Sequence, residues 1–252
     1  MLLSELARCV EGARIVCGKK NMQMSENTQI KGLTADSRFC SPGDLFFCLT
    51  GGKTDSHAFA RDAELAGAAA AVTERELELK IPQIVVPDSR SAMSLMAAAF
   101  YGHAADKLKI IGITGTNGKT TTSYMLASVL RRAGKAVAVV GTLGIYYGKK
   151  QIAPELTTPD PIFLHKMFAD MLKSGVEYVV AEVSAHALFY RKEEGISFAA
   201  CIFTNFTQDH LDFFKTMENY KQAKKLLFTP ERCPIAVLNG DDQTGREIGA
   251  MR

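Results

Sequence analysis

Apolar runs alternate with amphipathic stretches along most of the chain, and this alternation predicts an α/β protein. The first 105 residues contain short apolar runs separated by turn residues, which is typical of a small domain with one sheet. The predicted elements there are strands at 44–49, 68–72 and 83–86, and helices over 58–66 and 89–100. Asp88 or Ser89 is expected to cap the second of these helices. The segment 101–107, with a glycine and several polar residues, predicts a domain boundary.

From residue 106 onward the alternation of strand and helix becomes regular. Near-continuous apolar strands between amphipathic helices predict a parallel sheet that is covered on both faces. The predicted strands are 109–114, 136–140, 178–183, 199–204 and 235–238, and the predicted helices are 120–133, 161–174 and 217–228. A further helix begins near residue 243 and the chain stops at Arg252, so we expect the domain 106–252 to be incomplete.

Composition narrows the range of functions without selecting one. The formal net charge of +3 is too small to predict nucleic-acid binding, and no apolar segment has the length of a membrane span. The six cysteines are scattered and form no C-x-x-C pair, which argues against zinc sites and a disulfide framework. We therefore expect a monomeric cytoplasmic protein that contacts neither nucleic acid nor membrane.

The strand at 109–114 runs directly into a glycine-rich loop and then a helix, as in a P-loop. Gly115 and Gly118 allow backbone N–H groups to turn toward an anion, and the helix adds its positive end. Lys119 is expected to reach the β/γ-phosphates of ATP, and the Thr120 hydroxyl to bind Mg²⁺. Ile113 occupies the position where the usual pattern has its first glycine. The predicted nucleotide-binding residues are Gly115, Thr116, Asn117, Gly118, Lys119, Thr120 and Thr121.

Further polar residues follow the predicted strands at their carboxyl ends, where ligands collect in an open parallel sheet. Glu182 ends one strand, and a carboxylate there is costly unless it has a partner such as Mg²⁺. His210 follows the next strand. The alternatives remain open from the residues alone: Glu182 as a solvent-exposed strand end, and His210 as a structural histidine.

Two other features allow both a structural and a functional interpretation. Thr157 and Thr158 lie in a loop before a helix, where hydroxyls suit an anionic substrate, although Thr158 or Asp160 could simply cap that helix. Among the lysines of the helix at 217–228, Lys224 shares a stripe with Tyr220 and Leu227, which places it toward the apolar side.

Taken together, these motifs resemble the Mur ligase family. The motifs are Gly115-Thr-Asn-Gly-Lys-Thr120, Glu182-Val-Ser-Ala-His186, Thr204-Asn-Phe-Thr-Gln-Asp-His-Leu-Asp212, Met217-Glu-Asn-Tyr-Lys-Gln-Ala-Lys224, Thr34-Ala-Asp-Ser-Arg38, Pro42-Gly-Asp-Leu-Phe46 and Gly52-Lys-Thr-Asp-Ser-His57. The resemblance implies a small N-terminal uridine-binding α/β domain, residues 1–105, followed by a parallel-sheet P-loop ATPase domain, residues 106–252. It also implies that the family's C-terminal ligase domain is absent from this chain.

The resemblance further implies an activity and its site residues. The motifs are most similar to those of the family members that add the third residue of the peptidoglycan stem peptide. The resemblance implies that these members use ATP to join diaminopimelate or lysine to UDP-N-acetylmuramoyl-L-Ala-D-Glu through an acyl phosphate. The residues implied to bind substrate are Ser37, Arg38, Gly52, Lys53, Thr54, Thr157, Thr158, Ser184 and Lys192. Those implied in catalysis are Lys119, Glu182, His210 and Lys224, and those implied to hold Mg²⁺ are Thr120, Glu182, His210 and Lys224, the last as a carbamate.

The chain departs from the family pattern at several substrate positions, for example Ala185 in place of a serine and Lys192 in place of an arginine. We expect the fragment to bind ligands but to lack ligase activity. The alternatives are a non-catalytic nucleotide-binding remnant or partner, another Mur ligase, and a folylpolyglutamate-type ligase. A folylpolyglutamate-type ligase would have no counterpart of the motifs at 34–57.

Overall fold

The computed structural model describes residues 1–17, 26–51, 55–153 and 156–252. They divide into two compact units, Met1–Gly102 and His103–Arg252, so the division falls three residues before the predicted boundary. In the described part of the chain, no helix combines the length and the apolarity needed to cross a membrane.

The first unit is a five-stranded sheet with order β1-β5-β4-β3-β2. All neighbouring strands are parallel except β1, which pairs antiparallel to β5. Its strands are β1 (Arg14–Val16), β2 (Gly32–Thr34), β3 (Asp44–Phe47), β4 (Ala70–Thr73) and β5 (Gln83–Val85), and its helices are α1 (Leu3–Ala7), α2 (Ala60–Leu65) and α3 (Ser89–Phe100). Asp88 caps α3 by accepting from the backbone N–H groups of Arg90 and Ser91, as predicted.

The second unit is a seven-stranded sheet with order β12-β11-β6-β10-β7-β8-β9. Its strands are β6 (Lys109–Thr114), β7 (Val137–Gly141), β8 (Gly144–Tyr147), β9 (Lys150–Ile152), β10 (Tyr178–Glu182), β11 (Ala200–Phe203) and β12 (Ala236–Leu238). Its helices are α4 (Lys119–Arg132), α5 (Pro161–Lys173), α6 (Ala185–Phe189), α7 (Leu211–Phe214), α8 (Met217–Lys225) and α9 (Gln243–Ala250).

The five strands β12, β11, β6, β10 and β7 are parallel, which agrees with the prediction from their apolar sequences. The sequence did not predict the hairpin of β8 and β9, which adds two antiparallel strands at one edge. The core on one face includes Ile110, Val179, Phe168 and Met171, and the other face packs α4 through Ala127 against Ile113 and Val180. This arrangement places the carboxyl ends of β6, β7, β10 and β11 at one edge, next to the P-loop.

Candidate functional site

The P-loop, residues 115–118 between β6 and α4, has the conformation that its glycines allow. Gly115 and Gly118 have φ angles of 148° and 83°, which L side chains rarely adopt. At Gly115 a Cβ atom would also overlap Thr204 Oγ1. The loop after β11 supports the turn, because the Thr116 N–H donates to the Asn205 carbonyl at 2.8 Å. The Asn117 N–H donates to the side-chain oxygen of Asn205 at 3.0 Å.

Lys119, the first residue of α4, is folded back over this loop. Its ammonium donates to the carbonyl oxygens of Gly115 and Thr116, both at 2.9 Å. Burial lowers the pKa of Lys119, and the negative charges of Glu182 and Asp209 oppose that shift. The cation is therefore held directly at the glycine-rich turn.

Glu182 ends β10 and is the centre of a hydrogen-bond network. The residue is only 1% exposed. Its carboxylate accepts from Thr120 Oγ1 at 3.0 Å and from the N–H and hydroxyl of Thr142 at 3.1 and 3.0 Å. Among the described residues it has no ion pair, so this buried negative charge is met only by neutral donors. Gly141 makes room for it, because a Cβ atom there would overlap the Glu182 side chain.

Thr157, Thr158 and Ser184 lie beside this network. Thr157 Oγ1 is 3.2 Å from the hydroxyl of Thr142, the residue that binds Glu182. Thr158 Oγ1 donates to the main-chain carbonyl of Glu182 at 3.0 Å and accepts from the Ser184 N–H at 3.1 Å. Ser184 caps α6 by accepting from the Ala187 N–H. The structure thus brings the predicted substrate-binding hydroxyls to the same edge as Thr120 and Glu182.

The helix-capping alternative for Thr158 and Asp160 is wrong in this structure. Asp160 precedes α5, but its side chain makes no capping hydrogen bond. It forms an ion pair with Lys192 at 2.6 Å instead, and Lys192 is largely buried while Asp160 is exposed. Pro161 at the first position of α5 fixes the helix start without a side-chain cap.

Lys224 is buried, as its position on the apolar stripe of α8 predicts. It is 1% exposed, and its amine donates to the Gly115 carbonyl at 2.8 Å and lies 4.5 Å from the centre of the Tyr220 ring. Burial, and to a lesser degree the nearby positive charge of Lys119, lowers its pKa to about 7. Lys221 and Lys225, which neighbour it on α8, are partly buried and form ion pairs with Glu247.

The joint binding of Mg²⁺ by Glu182, His210 and Lys224 stays a prediction. The His210 side chain is 46% exposed and lies 3.4 Å from Asp209, and within the described part of the chain it makes no hydrogen bond to Glu182 or Lys224. Its ring instead stands perpendicular to the His186 ring, with 4.7 Å between centroids. No group of three or more His, Cys, Asp or Glu side chains among the described residues is arranged to hold a metal.

Two predicted substrate residues of the first unit lie on a 3-10 turn, Ser37–Phe39. Asp36 accepts from the Arg38 N–H at 3.0 Å and pairs with its guanidinium at 2.6 Å. The Arg38 side chain is 80% exposed, so it projects from the turn into solvent. The predicted residues Gly52, Lys53 and Thr54 lie outside the described residues.

Sequence reasoning missed two residues of the second unit's site. Thr142 directly follows β7 and holds Glu182 with two groups, and the rule that placed Glu182 at the carboxyl edge could have found it. Asn205 follows β11 and fixes the P-loop backbone. Its place after β11 and in the motif 204–212 marks it as a residue of this edge, but its contact with Asn117, 88 residues away, could not be predicted.

Comparisons with known proteins agree with this geometry. The Mur ligase middle domain model matches residues 113–251, and the model of the Mur ligase family, catalytic domain, matches residues 29–101. UDP-N-acetylmuramoyl-L-alanyl-D-glutamate–2,6-diaminopimelate ligases are among the relatives. The one from Geobacillus thermodenitrificans is 47% identical over 223 residues, and that from Aquifex aeolicus 40% over 220 residues. These alignments cover 86% and 87% of this chain and 46% of each relative.

Solved structures show the same fold. A structure of a UDP-N-acetylmuramoyl-L-alanyl-D-glutamate–2,6-diaminopimelate ligase superposes with a TM-score of 0.84 at 28% identity, covering 99% of this chain and 49% of that one. MurF from Acinetobacter baumannii, at 24% identity, gives 0.63 over 98% of this chain and 50% of its own, a likeness of fold. The chain spans about half the length of the curated relatives it matches. From these matches and the site described above, we conclude that this chain belongs to the Mur ligase family.

Proposed function

We propose that this chain forms the nucleotide- and UDP-substrate-binding part of an ATP-dependent ligase that joins diaminopimelate to UDP-N-acetylmuramoyl-L-Ala-D-Glu. The proposal rests on the hydrogen-bond network around the Glu182 carboxylate. This carboxylate binds Thr120 of the P-loop region, and through Thr142 it connects to Thr157. One buried acid therefore couples the ATP side of the site to the side proposed for the muramoyl-peptide. The names of the relatives favour diaminopimelate over lysine as the added residue.

The residues at this edge suit a magnesium ion. Mg²⁺ prefers oxygen ligands and binds through one or two carboxylates together with substrate phosphates. The Glu182 carboxylate and the Thr120 hydroxyl, 3.0 Å apart, are such oxygens, and the buried carboxylate has no cationic partner in the described part of the chain. These two residues would hold the ion, which would offset phosphate charge when bound.

Lys119 and Lys224 complete the positive side of the site. Both amines donate to the Gly115 carbonyl, so they converge on the turn proposed to hold the phosphates. With a pKa of about 7, Lys224 is partly neutral near neutral pH. A neutral amine can add CO₂ to give a carbamate and release one proton. The carbamate of Lys224, and its joint use with Glu182 and His210 for a second Mg²⁺, remain predictions from the resemblance.

Catalysis of amide-bond formation through an acyl phosphate depends mainly on positioning the substrates and stabilising the charge that develops. A substrate carboxylate attacks the γ-phosphate and releases ADP, and the amine of the incoming amino acid then displaces phosphate from the acyl phosphate. In this chain Thr157, Thr158 and Ser184 would orient the muramoyl-peptide. Lys192, held by Asp160 at 2.6 Å, would supply a positive charge beside it.

Ser37 and Arg38 of the first unit would contact the UDP part of the substrate. The Arg38 guanidinium is exposed, and its edge away from Asp36 suits a diphosphate. We place the activity in the cytoplasm, because the six cysteines are all free thiols, which favours a reducing compartment.

Calorimetric titration with UDP-N-acetylmuramoyl-L-Ala-D-Glu tests this proposal, with UDP-N-acetylglucosamine as the control ligand. We expect the muramoyl-dipeptide to bind at least about tenfold more tightly than the control. The variant Thr158→Val should remove most of that preference, whereas the matched variant Thr122→Val, at a partly buried threonine of α4, should keep it. Equal affinity for both ligands, in a folded protein that binds Mg²⁺–ADP, would favour a nucleotide-binding protein without the ligase role.

A further inference from the structure

A second cleft, here called the hairpin cleft, lies in the same unit at the other end of the sheet. It has a volume of about 590 Å³ and lies between the last turn of α4, the start of β7 and the β8–β9 hairpin. Lys119 and Arg131 are twelve residues apart on α4, about 18 Å along a helix that rises 1.5 Å per residue. The hairpin cleft is therefore separate from the P-loop.

The hairpin cleft is strongly positive. Its walls contain Arg131, Lys135, Lys149 and Lys150. Glu177 is paired with Lys135 at 3.6 Å. Among the described residues, the other three cations have no carboxylate partner. Three such charges around one concave surface attract an anion, and they suit a phosphate group better than a single carboxylate.

The favourable position of cations at the C-terminal end of α4 accounts for only some of the positive charges in the cleft. Cations near a helix C-terminus are favourable, and Arg131 and Lys135 fit that role, with Arg131 donating to the Val137 carbonyl at 3.4 Å. Lys149 and Lys150 come from a different element, the hairpin, which turns at Gly148 with a φ of 55°. The fold thus brings cations from two elements to the same cleft.

Tyrosine rings form another wall of the hairpin cleft. The rings of Tyr124 and Tyr146 have centroids 6.1 Å apart and stand at 68° to each other. The Tyr146 hydroxyl donates to the Leu143 carbonyl at 2.6 Å and accepts from Gln151 Nε2 at 3.2 Å, which fixes the position of that ring. Fixed aromatic faces beside cations suit a ligand that carries both a planar ring and phosphates.

We propose that the hairpin cleft binds a phosphorylated nucleoside, separately from the P-loop. Its phosphates would lie against Arg131, Lys149 and Lys150, and its base against Tyr124 and Tyr146. A cavity of this volume lies within the range typical of small-molecule sites. The proposal does not depend on the ligase function, because it concerns a different end of the sheet.

Site-resolved NMR of the full ¹⁵N-labelled chain tests this, with ADP, UDP and inorganic pyrophosphate titrated separately. The amides of Gly148, Lys149 and Gln151 report on the hairpin cleft, and those of Gly115 and Gly118 on the P-loop. We expect saturable shifts at the cleft amides with ADP and UDP, with Kd about 1 mM or lower, and weaker binding of pyrophosphate.

Charge reversal identifies the binding residues. The double variant Lys149→Glu/Lys150→Glu should raise the Kd measured at the Gly148 and Gln151 amides by about tenfold or more and leave the P-loop reporters unchanged. The matched control Lys107→Glu/Lys166→Glu makes the same charge change at exposed lysines outside the cleft and should leave both sites unchanged. The proposal is overturned if the cleft amides do not shift at about 10 mM ADP, if the control weakens binding equally, or if pyrophosphate binds as tightly as ADP.

Discussion

Replacing Gly141 by alanine tests whether the Glu182 network holds the site together. Gly141 is the last residue of β7, next to β10, which ends at Glu182. A methyl group there would overlap the Glu182 side chain, which is buried and cannot move into solvent without losing its partners. Gly141 does not have a positive φ, so alanine fits its backbone and the effect comes from the displaced carboxylate alone.

The size of the effect follows from the three hydrogen bonds that the carboxylate accepts. They come from Thr120 at 3.0 Å and from the N–H and hydroxyl of Thr142 at 3.1 and 3.0 Å. A hydrogen bond to a charged group contributes about 1.5–3 kcal/mol, and an added methyl in a packed site costs about 1–3 kcal/mol. Losing two of the bonds lowers the free energy of unfolding by about 3–6 kcal/mol.

Urea unfolding followed by circular dichroism measures this, with Gly240→Ala as the matched control because a Cβ atom at Gly240 meets nothing within 4 Å. In a Glu182→Ala background the Gly141→Ala change should cost little, since the side chain it displaces is gone. If Gly141→Ala unfolds at the same urea concentration as Gly240→Ala, or costs as much without the Glu182 carboxylate, the reasoning is refuted.

Three further predictions concern other positions. Burial raises the pKa of Glu193 to about 8, against an ordinary value of 4.5, so between these pH values the folded state keeps a proton that the unfolded chain loses. The free energy of unfolding should therefore fall by up to about 5 kcal/mol as the pH rises from about 4.5 to about 8. Glu193→Gln should abolish this fall in urea unfolding at about pH 5 and about pH 8; an unchanged pH dependence would contradict it. Gly115→Ala should weaken ADP binding more than Gly118→Ala in calorimetry, because only the former also overlaps Thr204; the reverse order would be evidence against the proposed cradle. Lys192→Met should weaken muramoyl-dipeptide binding and leave ADP binding intact, and equal losses for both ligands would show a general structural role.

The parts of the site that the sequence predicts depend on local patterns. An apolar strand followed by a glycine-rich turn places Lys119 and Thr120, and the rule that ligands gather at the carboxyl edge of a parallel sheet places Glu182. The burial of Lys224 follows from its helical spacing with Tyr220, which the structure confirms.

The remaining features depend on contacts between distant segments, which periodicity does not encode. The β8–β9 hairpin consists of strands of four and three residues, too short for a distinct pattern. The ion pair of Asp160 and Lys192 joins residues 32 positions apart, so a helix-start signal at Asp160 could not reveal it. The position of His210 beside His186 likewise depends on how the loop after β11 packs.

Magnesium-dependent nucleotide binding tests the central claim most directly. The affinity for a non-hydrolysable ATP analogue should be measured by calorimetry with and without Mg²⁺, for the unmodified chain, for Glu182→Gln and for the surface control Glu231→Gln. Our account predicts that Mg²⁺ tightens binding by about tenfold or more in the unmodified chain and the control, and has little effect in Glu182→Gln. An equal effect of Mg²⁺ on all three proteins would contradict the assignment of Glu182 to the metal.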